Sequence, residues 1–280
     1  MAEHFVHPPN WTWFIVLYFF LAGLAGGAYV LATIMRLWSG ARDETVTRLG
    51  YLWAFPLVVA CAILLTLDLG RPLAFWHMVI NTTPGVGGLN FKYWSPMSVG
   101  VWALEIFAFF ALFSMLEALG WIGRLPNFIP IVGSLFGLYL ASYTGVLLSV
   151  SNQPIWSDTY ALGGLFLASA LSGAAALLGW LAYWKGATST DARLNRADGY
   201  FAVLELLFIV AFFVTVGIAG TIGRTLSGIW LVLWILVLLS LIPSIRGIFA
   251  RPVAYGAALP IVVLAGVLLM RIVVVFSAQY

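Results

Sequence analysis

The chain has 280 residues, of which 63% are hydrophobic and 8% carry a charge, and its formal net charge at pH 7 is +3. No soluble domain could bury that much apolar surface, so the composition excludes a soluble protein and indicates a polytopic membrane protein. Its single cysteine, Cys61, excludes a disulfide framework and a cysteine-ligated cluster.

Eight apolar segments follow one another along the sequence, each near the roughly 20 residues that a membrane-spanning helix needs. We therefore predict an all-α integral membrane protein with eight transmembrane helices in a single membrane domain, residues 1–280. The predicted spans are Trp13–Met35, Leu49–Leu69, Met97–Ala118, Ile131–Ser149, Ala161–Trp184, Tyr200–Gly220, Leu226–Pro243 and Ala254–Phe276. We expect spans 1–4, residues 13–149, and spans 5–8, residues 161–276, to form two four-helix bundles.

The distribution of Lys and Arg predicts the orientation of these spans. The connections 1–2, 3–4, 5–6 and 7–8 hold nine such residues, whereas the opposite side holds three. Because positive charge accumulates on the cytoplasmic side, both termini are predicted to lie outside. In a bacterial or archaeal cytoplasmic membrane, the outer face is the periplasmic one.

Span 1 carries the small-residue run Gly23–Gly27, with the sequence GLAGG. Small residues let helices approach closely, so we interpret this run as a packing surface.

Span 2 ends in Thr66–His77, which brings Asp68, Arg71 and His77 to the edge of the hydrocarbon region. Charged groups are costly there and need a reason. Two interpretations stay open at this point. The three residues could be an Asp–Arg pair that closes a helix end beside an interfacial histidine, or part of a site that handles charge.

The later spans add polar residues at similar depth. Glu105 lies in span 3, Tyr143 near the outer end of span 4, Asn152 just beyond it, and Arg271 near the outer end of span 8. Glu117 and Glu205, by contrast, are predicted to extend to the inner interface. A polar cluster on one side indicates a shallow pocket, whereas a transporter more often places its site near the midplane.

The residue inventory limits the chemistry of such a pocket. None of the three histidines lies inside a span, so intrinsic haem is not expected, and no ligand spacing indicates an iron–sulfur or other metal site. Electrons would then come from a partner subunit or a diffusible carrier. A quinone fits the inventory, because its ring and tail are apolar and its carbonyls accept hydrogen bonds from Tyr or His, while carboxylates relay protons.

Several motifs together resemble the NrfD/polysulfide-reductase membrane-subunit family. They are Asp68–Pro72 with Phe75–His77, Ser95–Ser98, the GLAGG run, Ser142–Leu148 with Pro154 and Trp156, and Arg271–Val275 with Gln279. They occur in both halves of the sequence and keep their order. The eight-span form with both termini outside is similar to the polysulfide-reductase anchor.

The resemblance implies a haem-free anchor that binds menaquinone or ubiquinone and exchanges electrons with a periplasmic four-cluster ferredoxin-like iron–sulfur subunit. That subunit would connect to a molybdopterin catalytic subunit, which acts on the terminal substrate. Lipid is the other expected contact, and nucleic acid is not expected. On span 1, the two positions where the family is expected to carry polar quinone contacts hold Ile15 and Tyr18.

The predicted site therefore has two groups of residues and no metal. The first group, expected to act in proton or charge handling, is Asp68, Arg71 and Glu105; the second, expected to contact the quinone, is Tyr143, Tyr18, His77, Asn152 and Arg271. Two alternatives stay open: a passive anchor without a quinone site of its own, and a proton-translocating subunit that uses Glu105, Glu117 and Glu205.

Overall fold

The computed structural model describes residues 9–83, 85–249 and 258–279. Within this part of the protein, eight helices are long and apolar enough to cross a membrane, which confirms the predicted number of spans. They are α1 (Trp13–Trp38), α2 (Glu44–Asp68), α3 (Pro96–Leu119), α4 (Phe128–Ser149), α5 (Leu162–Trp184), α6 (Thr188–Ile218), α8 (Ile229–Phe249) and α9 (Leu259–Phe276). The start predicted for the last span, Ala254, lies outside the described residues.

Short elements occupy the connections. A four-residue helix, α7 (Ile222–Thr225), lies between α6 and α8, and 3-10 helices span Gly40–Asp43 and Pro72–Met78. The strands β1 (Ile80–Thr83) and β2 (Val86–Leu89) form an antiparallel hairpin in the long α2–α3 connection.

Helix α6 begins at Thr188, about three turns before the predicted start at Tyr200. The prediction of this boundary was wrong because apolar residues mark only the part of a helix that crosses the hydrocarbon. The polar turns before Tyr200 continue the same helix, and they contain Asp191 and Asp198, both fully buried.

Helix α1 contacts four other spans: α2, α4, α5 and α9. Its glycines make these contacts close. A Cβ added to Gly26 would lie 2.4 Å from the carbonyl oxygen of Gly137 in α4, and one on Gly27 would lie 2.7 Å from that of Ala170 in α5. These contacts confirm the interpretation of the GLAGG run as a packing surface.

The two ends of the described sequence meet at one face of the membrane domain, which we call the terminal face. The backbone N–H of Trp11 donates to Oε1 of Gln279 at 2.6 Å. The indole of Trp11 stacks on that of Trp156, whose Nε1 donates to the carbonyl of Val274 at 2.8 Å. These contacts join the start of α1, the α4–α5 connection and the end of α9 at the terminal face.

At the opposite face, a buried ion pair joins α1 to α3. Nη1 of Arg36 lies 2.7 Å from Oε1 of Glu117, and Nη2 of Arg36 donates to the carbonyl of Leu125 at 2.6 Å. Glu117 is thus held by a charged partner.

A second polar contact at the opposite face joins the α1–α2 connection to α6. Asp43 forms an ion pair with Arg193 and accepts a hydrogen bond from the hydroxyl of Thr190 at 2.5 Å. Burial raises the pKa of the Asp43 carboxyl, but hydrogen bonds from Thr190, Ser39 and Arg193 and the Arg193 charge outweigh that effect. The pKa is therefore lowered from its usual value.

Candidate functional site

A cavity of about 700 Å³ lies among α1, α2, α3 and α4 towards the terminal face. Its walls are mainly apolar side chains from the outer halves of these helices. The segment that follows α2 covers the cavity: Leu69 takes an extended conformation, and the 3-10 helix Pro72–Met78 places Phe75 and Trp76 against it. Asn90 holds this cover in place, because its backbone N–H donates to the Val79 carbonyl at 2.7 Å and its side chain donates to the His77 carbonyl at 3.0 Å.

The cavity opens sideways between α2 and α3. Three of its lining side chains are also exposed on the helix surface: Val59 at 40%, Ile63 at 53% and Met97 at 54%. These positions lie on membrane-crossing helices, so they would face lipid. An apolar molecule could therefore enter from the bilayer without crossing water.

Two tyrosine hydroxyls project into this apolar space. The hydroxyl of Tyr143, on α4, donates to the carbonyl of Pro96 at 2.7 Å. Gly100 on α3 makes room for it, because a Cβ there would lie 2.2 Å from the Tyr143 oxygen. Tyr18, on α1, is 4% exposed, and its hydroxyl makes no hydrogen bond to any residue that the structure describes. A buried donor without a partner is costly, so a ligand acceptor would stabilise it.

Two carboxylates also line the cavity. Asp68, at the end of α2, accepts a hydrogen bond from the Thr12 hydroxyl at 2.7 Å. Glu105 lies about 13 Å along α3 from the first residue of that helix, Pro96, and its side chain is exposed. Neither carboxylate forms an ion pair within the described ranges. A carboxylate at this depth is costly and indicates a functional role.

Four of the eight predicted site residues thus meet at the cavity: Asp68, Glu105, Tyr143 and Tyr18. The other four do not line it. Arg71 and Asn152 are exposed at the terminal face, and His77 is exposed with its ring edge-on to Trp76 at 4.0 Å. Arg71 makes no ion pair with Asp68 among the described residues, so an Asp–Arg pair does not close α2 here.

Arg271 is fully buried where α1, α5 and α9 meet. Its guanidinium donates to the carbonyls of Phe19 at 3.2 Å, Val267 at 2.9 Å and Phe166 at 3.4 Å. Phe19 itself lines the cavity, so Arg271 lies directly behind the cavity wall. Gly23 leaves space for it, because a Cβ there would lie 2.8 Å from Nη2.

Sequence reasoning missed Thr12 and Gly100. Thr12 has a local signal, because a threonine before an apolar run is a typical helix N-cap, and its hydroxyl does accept from the Phe14 N–H. Gly100 has no such signal, since its role depends on a tyrosine of another helix. A group of three or more potential metal-ligating side chains was not found among the described residues.

The geometry defines a multi-pass helical membrane protein with a shallow apolar cavity that opens to lipid and carries hydroxyl and carboxyl groups. Such a cavity suits a lipophilic ligand with a small polar head. The family model described as "Polysulphide reductase, NrfD" matches residues 3–280, and the protein belongs to this family.

Curated relatives span nearly the whole sequence. The C subunit of polysulfide reductase from Wolinella succinogenes is 28% identical, over 96% of this protein and 94% of its own length. The protein NrfD homolog of Haemophilus influenzae is 25% identical, over 98% of this protein and 96% of its own length. Protein NrfD of Escherichia coli is 26% identical, over 96% and 95% respectively.

Proposed function

We propose that the protein is the quinone-binding membrane subunit of a respiratory oxidoreductase, and that the cavity among α1–α4 holds the quinone. The observation that carries the proposal is the lateral opening at Val59, Ile63 and Met97, which leads from the lipid region to the hydroxyls of Tyr18 and Tyr143. Menaquinone and ubiquinone both combine an isoprenoid tail with two carbonyl oxygens, which this arrangement would accommodate.

The polar groups of the cavity suit the quinone head. Tyr18 has a hydroxyl free to donate, and Tyr143 could exchange its bond to the Pro96 carbonyl for one to a ligand. A bound quinone supplies two-electron chemistry coupled to two protons. Glu105 and Asp68 can hold and release protons at the cavity edge, where Asp68 is already oriented by Thr12. His77, Asn152, Arg71 and Arg271 would act from outside the cavity.

The terminal face is suited to binding a redox partner. Above the cavity it exposes Leu73 at 92%, Tyr93 at 75% and Trp94 at 67%. Large apolar side chains that project beyond the spans mark a protein–protein contact. We infer that an iron–sulfur subunit of the four-cluster ferredoxin type docks here and passes electrons to or from the cavity. A molybdopterin subunit would act on the terminal substrate, in keeping with relatives whose names denote one subunit of a reductase.

The excess of Lys and Arg at the opposite face supports a periplasmic terminal face. The helix contacts support the two expected bundles: α1 meets α2 and α4, and α3 meets both, whereas α5 and α8 each meet α6 and α9. The interface between them is formed mainly by α1 and α5.

The test compares quinone-linked turnover of the complete complex with its turnover on an artificial electron donor or acceptor that reacts at the soluble subunits. We expect Glu105→Gln and Asp68→Asn to lower the quinone-linked rate at least tenfold and to leave the artificial reaction unchanged. Glu44→Gln, an exposed carboxylate at the opposite end of α2, is the matched control.

A passive anchor gives a different pattern. In that case both cavity variants would keep the wild-type quinone-linked rate, and inhibitors that compete with quinone would act on another subunit. Equal rates for Glu105→Gln, Asp68→Asn and the control would therefore overturn the proposal.

A further inference from the structure

Helix α6 carries three buried carboxyl groups on one face. Asp191, Asp198 and Glu205 are spaced by seven residues, and none is more than 1% exposed. Seven residues are close to two helical turns, so the three side chains lie above one another along the helix. Glu205 was expected to extend to the membrane surface, but its burial shows that it does not.

Glu205 is the innermost member of this column. Neither of its carboxylate oxygens has a hydrogen-bond partner among the described residues. The charged groups that interact with it are Arg271 of α9 and Asp198 of its own helix. Burying a carboxyl group without hydrogen bonds is costly, and packing alone would be served better by an apolar residue. The position therefore calls for a function that needs a carboxyl group.

The column begins at the opposite face of the membrane domain. Asp191 lies in the first turn of α6, beside Thr190, which donates to Asp43 of the α1–α2 connection. Arg193, which pairs with Asp43, has a side chain 44% exposed, so this end of the column is next to solvent. Asp198 follows, and it accepts a hydrogen bond from the buried hydroxyl of Ser172 in α5 at 2.5 Å.

The column ends behind the cavity. Asp191 and Glu205 are separated by about 21 Å along α6, which is most of the roughly 30 Å hydrocarbon thickness. Arg271 continues from Glu205 to the Phe19 carbonyl, and Phe19 lines the cavity. Ser169 of α5 donates at 3.0 Å to the Phe166 carbonyl, which also accepts from Arg271. Polar groups thus run from the opposite face to the cavity wall.

We propose that Asp191, Asp198 and Glu205 form a proton path from the opposite face of the membrane to the cavity, with Arg271 at its inner end. Successive carboxyl groups are about 10.5 Å apart along the helix, so water molecules complete the path between them. Protons leave through the cavity, past Glu105 and Asp68. The delivery of these protons to a quinone rests on the proposed function, whereas conduction along the column does not.

The experiment measures proton flux through the purified complex in lipid vesicles. A potassium diffusion potential drives protons, and a pH-sensitive dye trapped inside records them, without quinone. Quinone-linked turnover is then measured in the same vesicles. We expect Glu205→Gln and Asp198→Asn to lower the flux at least tenfold, Glu205→Asp to retain part of it, and Glu44→Gln to match the wild type.

The two proposals fail separately in this assay. Tyr143→Phe should lose quinone-linked turnover and keep the potential-driven flux. Wild-type vesicles with no flux above protein-free vesicles, or a Glu205→Gln flux equal to the wild type, would overturn the proton path. Wild-type flux that depends on Glu205 in a complex without quinone-linked turnover would support the path and contradict the quinone site.

Discussion

Replacement of Tyr143 by Phe removes one hydroxyl from the cavity and leaves the ring. In the structure this hydroxyl donates to the Pro96 carbonyl at 2.7 Å, at a point where Gly100 provides the space. Loss of one neutral hydrogen bond lowers the free energy of unfolding by about 0.5–1.5 kcal/mol, so the complex should still assemble. If the hydroxyl donates to the quinone during turnover, the loss of a positioned proton donor lowers kcat by about 10²–10⁴-fold.

The matched control is Tyr139→Phe. Tyr139 lies one turn earlier on α4, stacks on Tyr143 with ring centroids 5.7 Å apart, and is 42% exposed without lining the cavity. Quinone-linked and artificial-donor rates are measured on both purified variants. We expect a loss of at least about 100-fold in the quinone-linked kcat of Tyr143→Phe. A Tyr143→Phe rate within twofold of the Tyr139→Phe rate would refute this reasoning.

Three further predictions follow from the packing and the ion pairs. Gly100→Ala places a methyl group 2.2 Å from the present Tyr143 oxygen, so it should lower quinone-linked turnover; Gly123→Ala, with no atom within 4 Å of its Cβ, should not. Arg36→Met leaves a buried carboxylate without its partner, and we expect a loss of about 3–5 kcal/mol, measured as a lower Tm. Because the pKa of Asp43 is lowered on folding, its contribution to stability is present above the unfolded pKa and is lost as the pH falls through the folded one. Between about pH 5 and 3 the wild-type Tm should therefore fall more steeply than that of Asp43→Asn, and equal slopes would contradict the assignment.

The spans could be predicted from the sequence because apolar length alone determines which segments cross a bilayer. The depth of polar residues could be predicted for the same reason, since position along a span gives its level in the membrane. That is why Asp68, Glu105 and Tyr143, which lie on three different helices, were expected to be at similar depth and do line one cavity.

The direction of each side chain could not be predicted in the same way. Arg271 has the right depth for the cavity, but its rotation about α9 points it into the junction with α1 and α5. His77 lies in a 3-10 helix, where the apolar residues around it cover the cavity and the imidazole faces outward. These outcomes depend on tertiary contacts that local sequence does not specify.

The carboxyl column on α6 was missed for another reason. Asp191 and Asp198 precede the apolar segment, so they were assigned to a connection, and the seven-residue spacing to Glu205 was not recognised. Extending the helix by the same periodicity across its polar turns would have placed the three residues on one face.

Quinone binding in the cavity is the central claim, and it is tested most directly by extracting the purified complex and quantifying quinone by mass spectrometry. The variant is Val101→Trp, which fills the cavity, and the control is Val210→Trp, at a 53% exposed position of α6 away from it. We predict stoichiometric quinone in the wild type and in Val210→Trp, and its loss in Val101→Trp. Equal quinone in both variants, or none in an assembled wild-type complex, would contradict the assignment of the cavity.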